Sequence, residues 1–168
     1  MGRRAARQAS TAINRWVGKI DYPMYIVTTA ARGHRSGCLV GFATQCSIDP
    51  VRFLLCVSEK NHTYRVAQEA DFLAVHLVPA AATSLVALFG SETGDDTDKF
   101  QRCEWHEGPH GVPVLDDCPN WFAGRILDRL PAGDHVAFLL EPVEAGAGDD
   151  SSQFDFHRAK RFEAGHEA

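Results

Sequence analysis

Gly37-Cys-Leu-Val-Gly-Phe-Ala-Thr-Gln-Cys-Ser-Ile-Asp-Pro50 is the stretch on which the reading of this chain turns. Its apolar first half predicts a strand over Cys38–Cys46, and Gly41, Ala43, Thr44 and Ser47 give that strand little side-chain bulk. A surface of such residues lets a flat ring system approach the backbone, whose N–H and C=O groups can then read the edge of a heterocycle. The same residues also suit a strand that only packs closely against a neighbour, so the stretch alone leaves both readings open. Cys46 has no Cys/His/Asn pattern around it and is expected to be a small buried packing residue.

On either side the texture is that of a sheet. Tyr22–Ala31, Arg52–Ser58, Phe72–Val78, Trp121–Leu130 and His135–Val143 are short runs rich in β-branched, aromatic or leucine residues. Gly, Pro and Asp signals separate them at Arg32–Gly37, Ser47–Pro50 and Leu130–Asp134. Connections this short favour antiparallel pairing, because parallel pairs need long crossovers. Helices are expected at Thr63–Ala70, with Asn61 or Thr63 as N-cap, and at Pro79–Phe89, with proline near its start and Gly90 past its end. Ser91–Pro119 reads as loops around a short helix near Asp98–Arg102, and a connection that long is often functional. The expected fold is therefore α+β, mainly antiparallel β, a closed or nearly closed barrel with flanking helices. The arm 1–21 reads as an amphipathic helix with Ile13, Trp16 and Val17 on its apolar stripe; the barrel domain is 22–145, and the tail 146–168 packs on or near it, with Phe154–Phe162 as an edge segment or helix.

Length and composition set the outer limits. A chain of 168 residues fits one domain and buries enough apolar surface to fold without staples. A formal net charge of −5 argues against a nucleic-acid surface, and the only basic cluster, Arg3, Arg4 and Arg7, reads as a solvated arm. The five cysteines, Cys38, Cys46, Cys56, Cys103 and Cys118, include no CxxC pair, so neither a disulfide framework nor a structural zinc site is expected. With no signal-peptide h-region and no apolar run of spanning length, the chain is expected in the cytoplasm, away from the membrane.

Several smaller signals carry chemistry. Glu59-Lys60-Asn61-His62-Thr63-Tyr64 is a polar cluster between a strand and a helix; backbone N–H groups, a lysine and a hydroxyl there suit a phosphate, and equally a plain N-cap with a solvated lysine. Asp98-Lys99-Phe100 and Gly133-Asp134-His135 are short, and His135 stands at a turn before an apolar strand. Glu92, Asp95, Asp96 and Asp98 lack the spacing and closing glutamate of a calcium loop, so no metal is expected. His34, His62 and His110 are available to a haem, but no CxxCH attachment motif exists. Walker A, nucleophile-elbow and Rossmann glycine signatures are all missing, so any nicotinamide would dock transiently on another surface.

Taken in order, Tyr25-Ile-Val-Thr-Thr29, Gly37 with the strand ending at Pro50, Lys60-Asn-His-Thr63, Asp71-Phe72, Leu88-Phe-Gly90, Asp98-Lys-Phe100, Gly111-Val-Pro-Val-Leu115 and Gly133-Asp-His135 resemble the flavin reductase-like family. The resemblance covers about Tyr22 to Val143 and implies an FMN-binding split barrel. It implies that Gly41, Phe42, Ala43, Thr44 and Gln45 lie along the flavin ring, with Cys46 and Ser47 following and Ser47 near the ribityl chain or phosphate. Lys60, Asn61, His62 and Thr63 then hold the FMN phosphate, and Phe100 and His135 lie near the flavin face where the nicotinamide docks. The implied activity is NAD(P)H-dependent reduction of FMN, FAD being the other flavin option, in a homodimer that supplies reduced flavin to a partner monooxygenase. His135 is the candidate catalytic residue. The other readings are an FMN-binding oxidase or electron-transfer flavoprotein on the same barrel, and a non-enzymatic flavin- or haem-binding protein. Related sequences often place asparagine and serine where this chain has Gly41 and Phe42, and the acidic loop Ser91–Asp98 would favour NADH over NADPH.

Overall fold

The computed structural model describes residues 3–148 and 152–162. After α1 (Arg3–Val17) the chain forms β1 (Tyr25–Ala31), β2 (His34–Val40), β3 (Ala43–Ile48), β4 (Val51–Ser58), α2 (His62–Ala67), β5 (Phe72–Leu77) and α3 (Thr83–Ser91). There follow β6 (Trp105–Glu107), β7 (Pro113–Leu115), β8 (Trp121–Pro131), β9 (His135–Gly146) and α4 (Phe156–Ala159). Seven strands make one antiparallel sheet in the order β2-β1-β5-β8-β9-β4-β3, and β6 pairs with β7 separately.

The predicted strand over Cys38–Cys46 is two strands, and they lie at opposite edges of the sheet. A flat seven-strand sheet would set its edges about 29 Å apart, while the link from Val40 to Ala43 reaches at most about 11 Å. The sheet must therefore roll until β2 and β3 face each other. They do not pair, so the barrel is split there. Gly41 makes the hand-over sterically possible: a Cβ at this position would lie 2.7 Å from Tyr22 Cε2. Phe42 then stitches the link to β4, its carbonyl accepting the Cys56 N–H at 2.8 Å.

Other boundaries move for equally local reasons. The expected loop Arg32–Gly37 shrinks to a two-residue hairpin turn, because Arg32 (φ 50°) and Gly33 (φ 80°) supply the two positive φ angles such a turn needs. Gly90 lies inside α3 rather than after it; its missing Cβ lets the helix sit against Leu39, whose Cδ2 would be 3.0 Å from it. The expected loops of Ser91–Pro119 contain, besides a 3-10 turn at Lys99–Gln101, the small hairpin β6–β7.

β1 is buried on both faces and separates two cores. Val27, Cys38, Leu55, Leu73, Val75, Phe138 and Leu140 fill the barrel. Ile26, Leu85, Phe89, Phe100, Leu115 and Phe154 fill the space between its outer wall, α3 and the long loops. Polar pins run through the second core. His76 is fully buried; its Nε2 accepts the Leu115 N–H at 3.1 Å, so its Nδ1 carries the proton donated to the Ile26 carbonyl at 2.9 Å. Burial pulls its pKa down to about 4 and keeps it neutral. Lys99, 4% exposed, donates to the carbonyls of Gly37 and Phe89 at 3.1 and 3.3 Å, and burial lowers its pKa. The tail returns through bridges Pro79–Gln153 and Pro23–Asp155, with Phe154 buried between them. No helix among the described residues is long and apolar enough to cross a membrane, and all five cysteines are free.

Candidate flavin site at the barrel split

A pocket of about 340 Å³ opens where β2 hands over to β3. Gly41, Phe42, Asn61 and His135 line it, together with Tyr22 and Phe156. Its outer wall is aromatic. Tyr22 stacks on Phe156 with ring centroids 4.5 Å apart, and Phe42 stands between Tyr22 (6.3 Å) and His135 (5.2 Å). Burial, then the neighbouring Asp21, raise the Tyr22 pKa and keep the phenol protonated.

His135 is the first residue of β9, paired with Ser58 and fixed by the Gly133 turn, where φ is +98°. Its Nδ1 lies 2.7 Å from the Asp134 carboxylate, and that hydrogen bond holds the Asp134 carboxyl below the usual range. A neutral ring held this way keeps its proton on Nδ1 and offers Nε2 as an acceptor. Among the described residues Nε2 has no hydrogen-bond partner.

β3 runs away from the pocket as an edge strand, paired only with β4. One row of its N–H and C=O groups therefore faces no other strand. Thr44, Gln45 and Cys46 are exposed, and Ala43 and Ser47 are half-buried. Cys46 is thus exposed rather than buried, because the register with β4 shifts between Gln45 and Ser47 and the bulge turns it outward. The strand that the sequence leaves open between close packing and ligand approach uses each device in a different place. Gly41 packs on Tyr22, and Thr44–Cys46 stay uncovered.

The loop Lys60–Thr63 begins α2. Asn61 lies at the pocket rim and caps the helix, its Oδ1 accepting the Thr63 N–H at 2.9 Å. Lys60 is exposed. Thr63 is fully buried with its hydroxyl 3.0 Å from Ser36 Oγ, so its side chain turns inward from the loop surface. His62 Nδ1 meets the same Ser36 Oγ at 2.8 Å, and burial is the main cause of its lowered pKa.

Phe100 is not brought to His135. It is 6% exposed, packed edge-on between Phe89 and Trp105, and borders a second cleft of about 290 Å³ beside the start of β2. The acids near that cleft are largely committed: Glu92 to Arg102, Asp95 to Arg65, and Asp98 to the Phe100 N–H. The loop therefore repels an extra phosphate less than its composition implies. No metal-binding cluster occurs among the described residues.

Tyr22 and Phe156 are the aromatic wall residues of this pocket that the sequence does not mark as site residues. Their only signal is an aromatic just before β1 and one of three phenylalanines in the tail.

A family model for the flavin reductase like domain matches residues 17–164, most of the chain. The chain belongs to the flavin reductase-like family. It is 25% identical over 148 residues to the ferric-chelate reductase (NAD(P)H) of Archaeoglobus fulgidus, covering 85% of this chain and 88% of that one. It is 29% identical over 132 residues to the reductase component of a 4-nitrophenol 4-monooxygenase/4-nitrocatechol 2-monooxygenase from Rhodococcus opacus, covering 79% and 69%. Against two longer relatives from Rhizobium meliloti the chain spans 50% and 37% of their length. Among solved structures, the flavin reductase domain protein of Arthrobacter sp. FB24 superposes with a TM-score of 0.80 at 21% identity, covering 89% of this chain and 91% of that one. That likeness confirms the split barrel expected for a flavin reductase-like chain.

Proposed function

We propose that this chain is an NAD(P)H-dependent flavin reductase that binds FMN along β3 and passes reduced flavin to a monooxygenase. One observation carries the reading: an uncovered edge strand of small residues runs directly into an aromatic pocket that holds His135. The residues present fit a flavin, because a flat ring needs an accessible backbone edge and a wall to stack on.

When bound, the flavin supplies the chemistry, accepting a hydride from the nicotinamide. The protein's part is placement. The backbone edge of β3 that faces no other strand holds the ring edge, Ser47 lies towards the ribityl chain, and Lys60, Asn61 and His62 sit towards the phosphate. Phe42, Tyr22 and Phe156 exclude water from one side, and proximity is the main catalytic device. His135 Nε2, oriented by Asp134, positions the nicotinamide or the flavin edge. The chain acts as a homodimer with the flavin at the subunit boundary, which covers the open edge of β3. The same reading places it in the cytoplasm.

The test is direct. The purified chain should bind FMN, seen in its visible spectrum, and oxidise NADH or NADPH when FMN is added. FMN held without nicotinamide oxidation would point to an oxidase or electron-transfer role, and protein that neither binds FMN nor oxidises either nicotinamide would refute the reading.

A further inference from the structure

Ile13, Trp16 and Val17 on α1, and Ile20 just beyond it, are spaced as one helical face, and all four are solvent-exposed, at 60%, 65%, 46% and 37%. An isolated helix of 15 residues is marginal in water unless its apolar face is covered. The chain's own barrel does not cover it, and the root of the arm is fixed. Asp21 accepts the backbone N–H groups of Tyr22 at 3.0 Å and His157 at 3.1 Å, and its carboxylate lies 3.3 Å from the His157 ring.

Charge indicates what covers it. Residues 3–20 carry Arg3, Arg4, Arg7, Arg15 and Lys19 and no acid. Five of the chain's 17 basic residues thus sit on the arm, and the remainder sets 22 acidic residues against 12 basic ones. Such a body attracts a basic helix and is repelled by an anionic membrane. The body also carries an uncovered apolar pair. Ile48, 85% exposed, and Val51, 50% exposed, are cross-strand partners at the end of the β3–β4 hairpin, around Asp49.

We infer that α1 docks on a second copy of this chain, its Ile13–Trp16–Val17–Ile20 face covering the Ile48–Val51 patch of the other β3–β4 hairpin. Two-fold symmetry makes the contact twice, arm to hairpin in both directions. This deepens the homodimer reading above and rests on it.

The experiment is sedimentation of the full-length chain over a range of concentration and salt, comparing wild type with Ile13→Glu/Trp16→Glu and with Ile48→Glu/Val51→Glu. Circular dichroism checks folding, which exposed substitutions leave intact. The expected result is a wild-type dimer whose dissociation constant rises about 100-fold in each variant, as for loss of a central apolar anchor, and rises with salt. A monomeric wild type overturns both this inference and the homodimer reading. A wild-type dimer that the arm variant does not weaken overturns this inference alone. Weakening by the arm variant but not by the hairpin variant overturns the hairpin as the receiving patch. Co-sedimentation of a monomeric chain with phosphatidylglycerol vesicles, lost in the arm variant, assigns the face to lipid and overturns the inference.

Discussion

Two regions of this molecule handle polar groups in opposite ways. Behind β1, each polar side chain is sealed in and matched: His76 between Ile26 and Leu115, Lys99 between Gly37 and Phe89, Thr63 against Ser36. At the split, the edge of β3 is open and Nε2 of His135 has no partner among the described residues. A buried polar group costs free energy unless hydrogen-bonded, so a satisfied one shows where the fold is held. An open polar group beside an apolar pocket shows where a ligand completes the set. The contrast yields a rule: substitutions in the first region should reduce stability and spare turnover per folded molecule, and those in the second should do the reverse.

The strongest challenge to that rule is His76→Leu. It strands the Leu115 N–H and the Ile26 carbonyl in the core, at about 1–3 kcal/mol each. We expect a loss of about 2–5 kcal/mol in urea unfolding, with flavin reduction by the remaining folded protein unchanged. A variant as stable as wild type would mean that β7 is not pinned through this ring.

Acid probes the same group without mutation. His76 titrates near 4 when folded and near 6.5 in a model peptide. Between those values the unfolded chain takes up the proton and the folded chain does not, so stability falls as pH falls. The stabilisation is complete above about pH 6.5, and the loss amounts to about 3 kcal/mol by pH 4. Carboxylates add their own slope, so the measurement is the difference in unfolding free energy between wild type and His76→Leu across that range. The difference should shrink steadily towards pH 4, and a constant difference would rule out a buried neutral imidazole.

The sequence exposes the first region better as core than as chemistry. Alternating and continuous apolar runs reveal the strands, and thus the antiparallel sheet, because burial writes itself into residue type. The break at Gly41–Phe42 is hidden, because a glycine that lets the chain pass Tyr22 looks the same as one that thins a strand. Phe100 shows the converse: the family resemblance marks it as a site residue, and nothing in the sequence shows that it packs edge-on between Phe89 and Trp105. The inward turn of Thr63 is hidden in the same way, since a hydroxyl near a helix start carries no mark of whether Ser36 already occupies it. The pocket wall from Phe156 was out of reach, because it comes from more than 130 residues beyond Tyr22 and meets it only through the returning tail.

On the open side, His135→Ala tests positioning. It removes the Nε2 acceptor and leaves the β3 edge intact. Turnover with NADH should fall about tenfold, a loss of about 1.4 kcal/mol in transition-state stabilisation. FMN affinity and the urea midpoint should stay within error. An unchanged turnover would remove His135 from the site, and a lost midpoint would move it to the first region.

Phe156→Ala is the smallest effect and the sharpest division between the two regions. Phe154, two residues earlier, is buried and anchors the tail, with its N–H and C=O bonded to Val78 and Met24. Phe156 stacks instead on Tyr22 at the pocket wall and is only partly buried. An aromatic pair of this kind contributes about 0.5–1.5 kcal/mol beyond its buried area. Truncation should therefore raise the KM for the nicotinamide about threefold to tenfold through a looser wall. The kcat should change little, because His135 and the β3 edge stay in place. Phe154→Ala should do the opposite, lowering stability through its core cavity and leaving KM alone. If Phe156→Ala also lowered the unfolding midpoint as far as Phe154→Ala does, the tail would belong to the barrel's support, and the pocket wall would be Tyr22 and Phe42 alone.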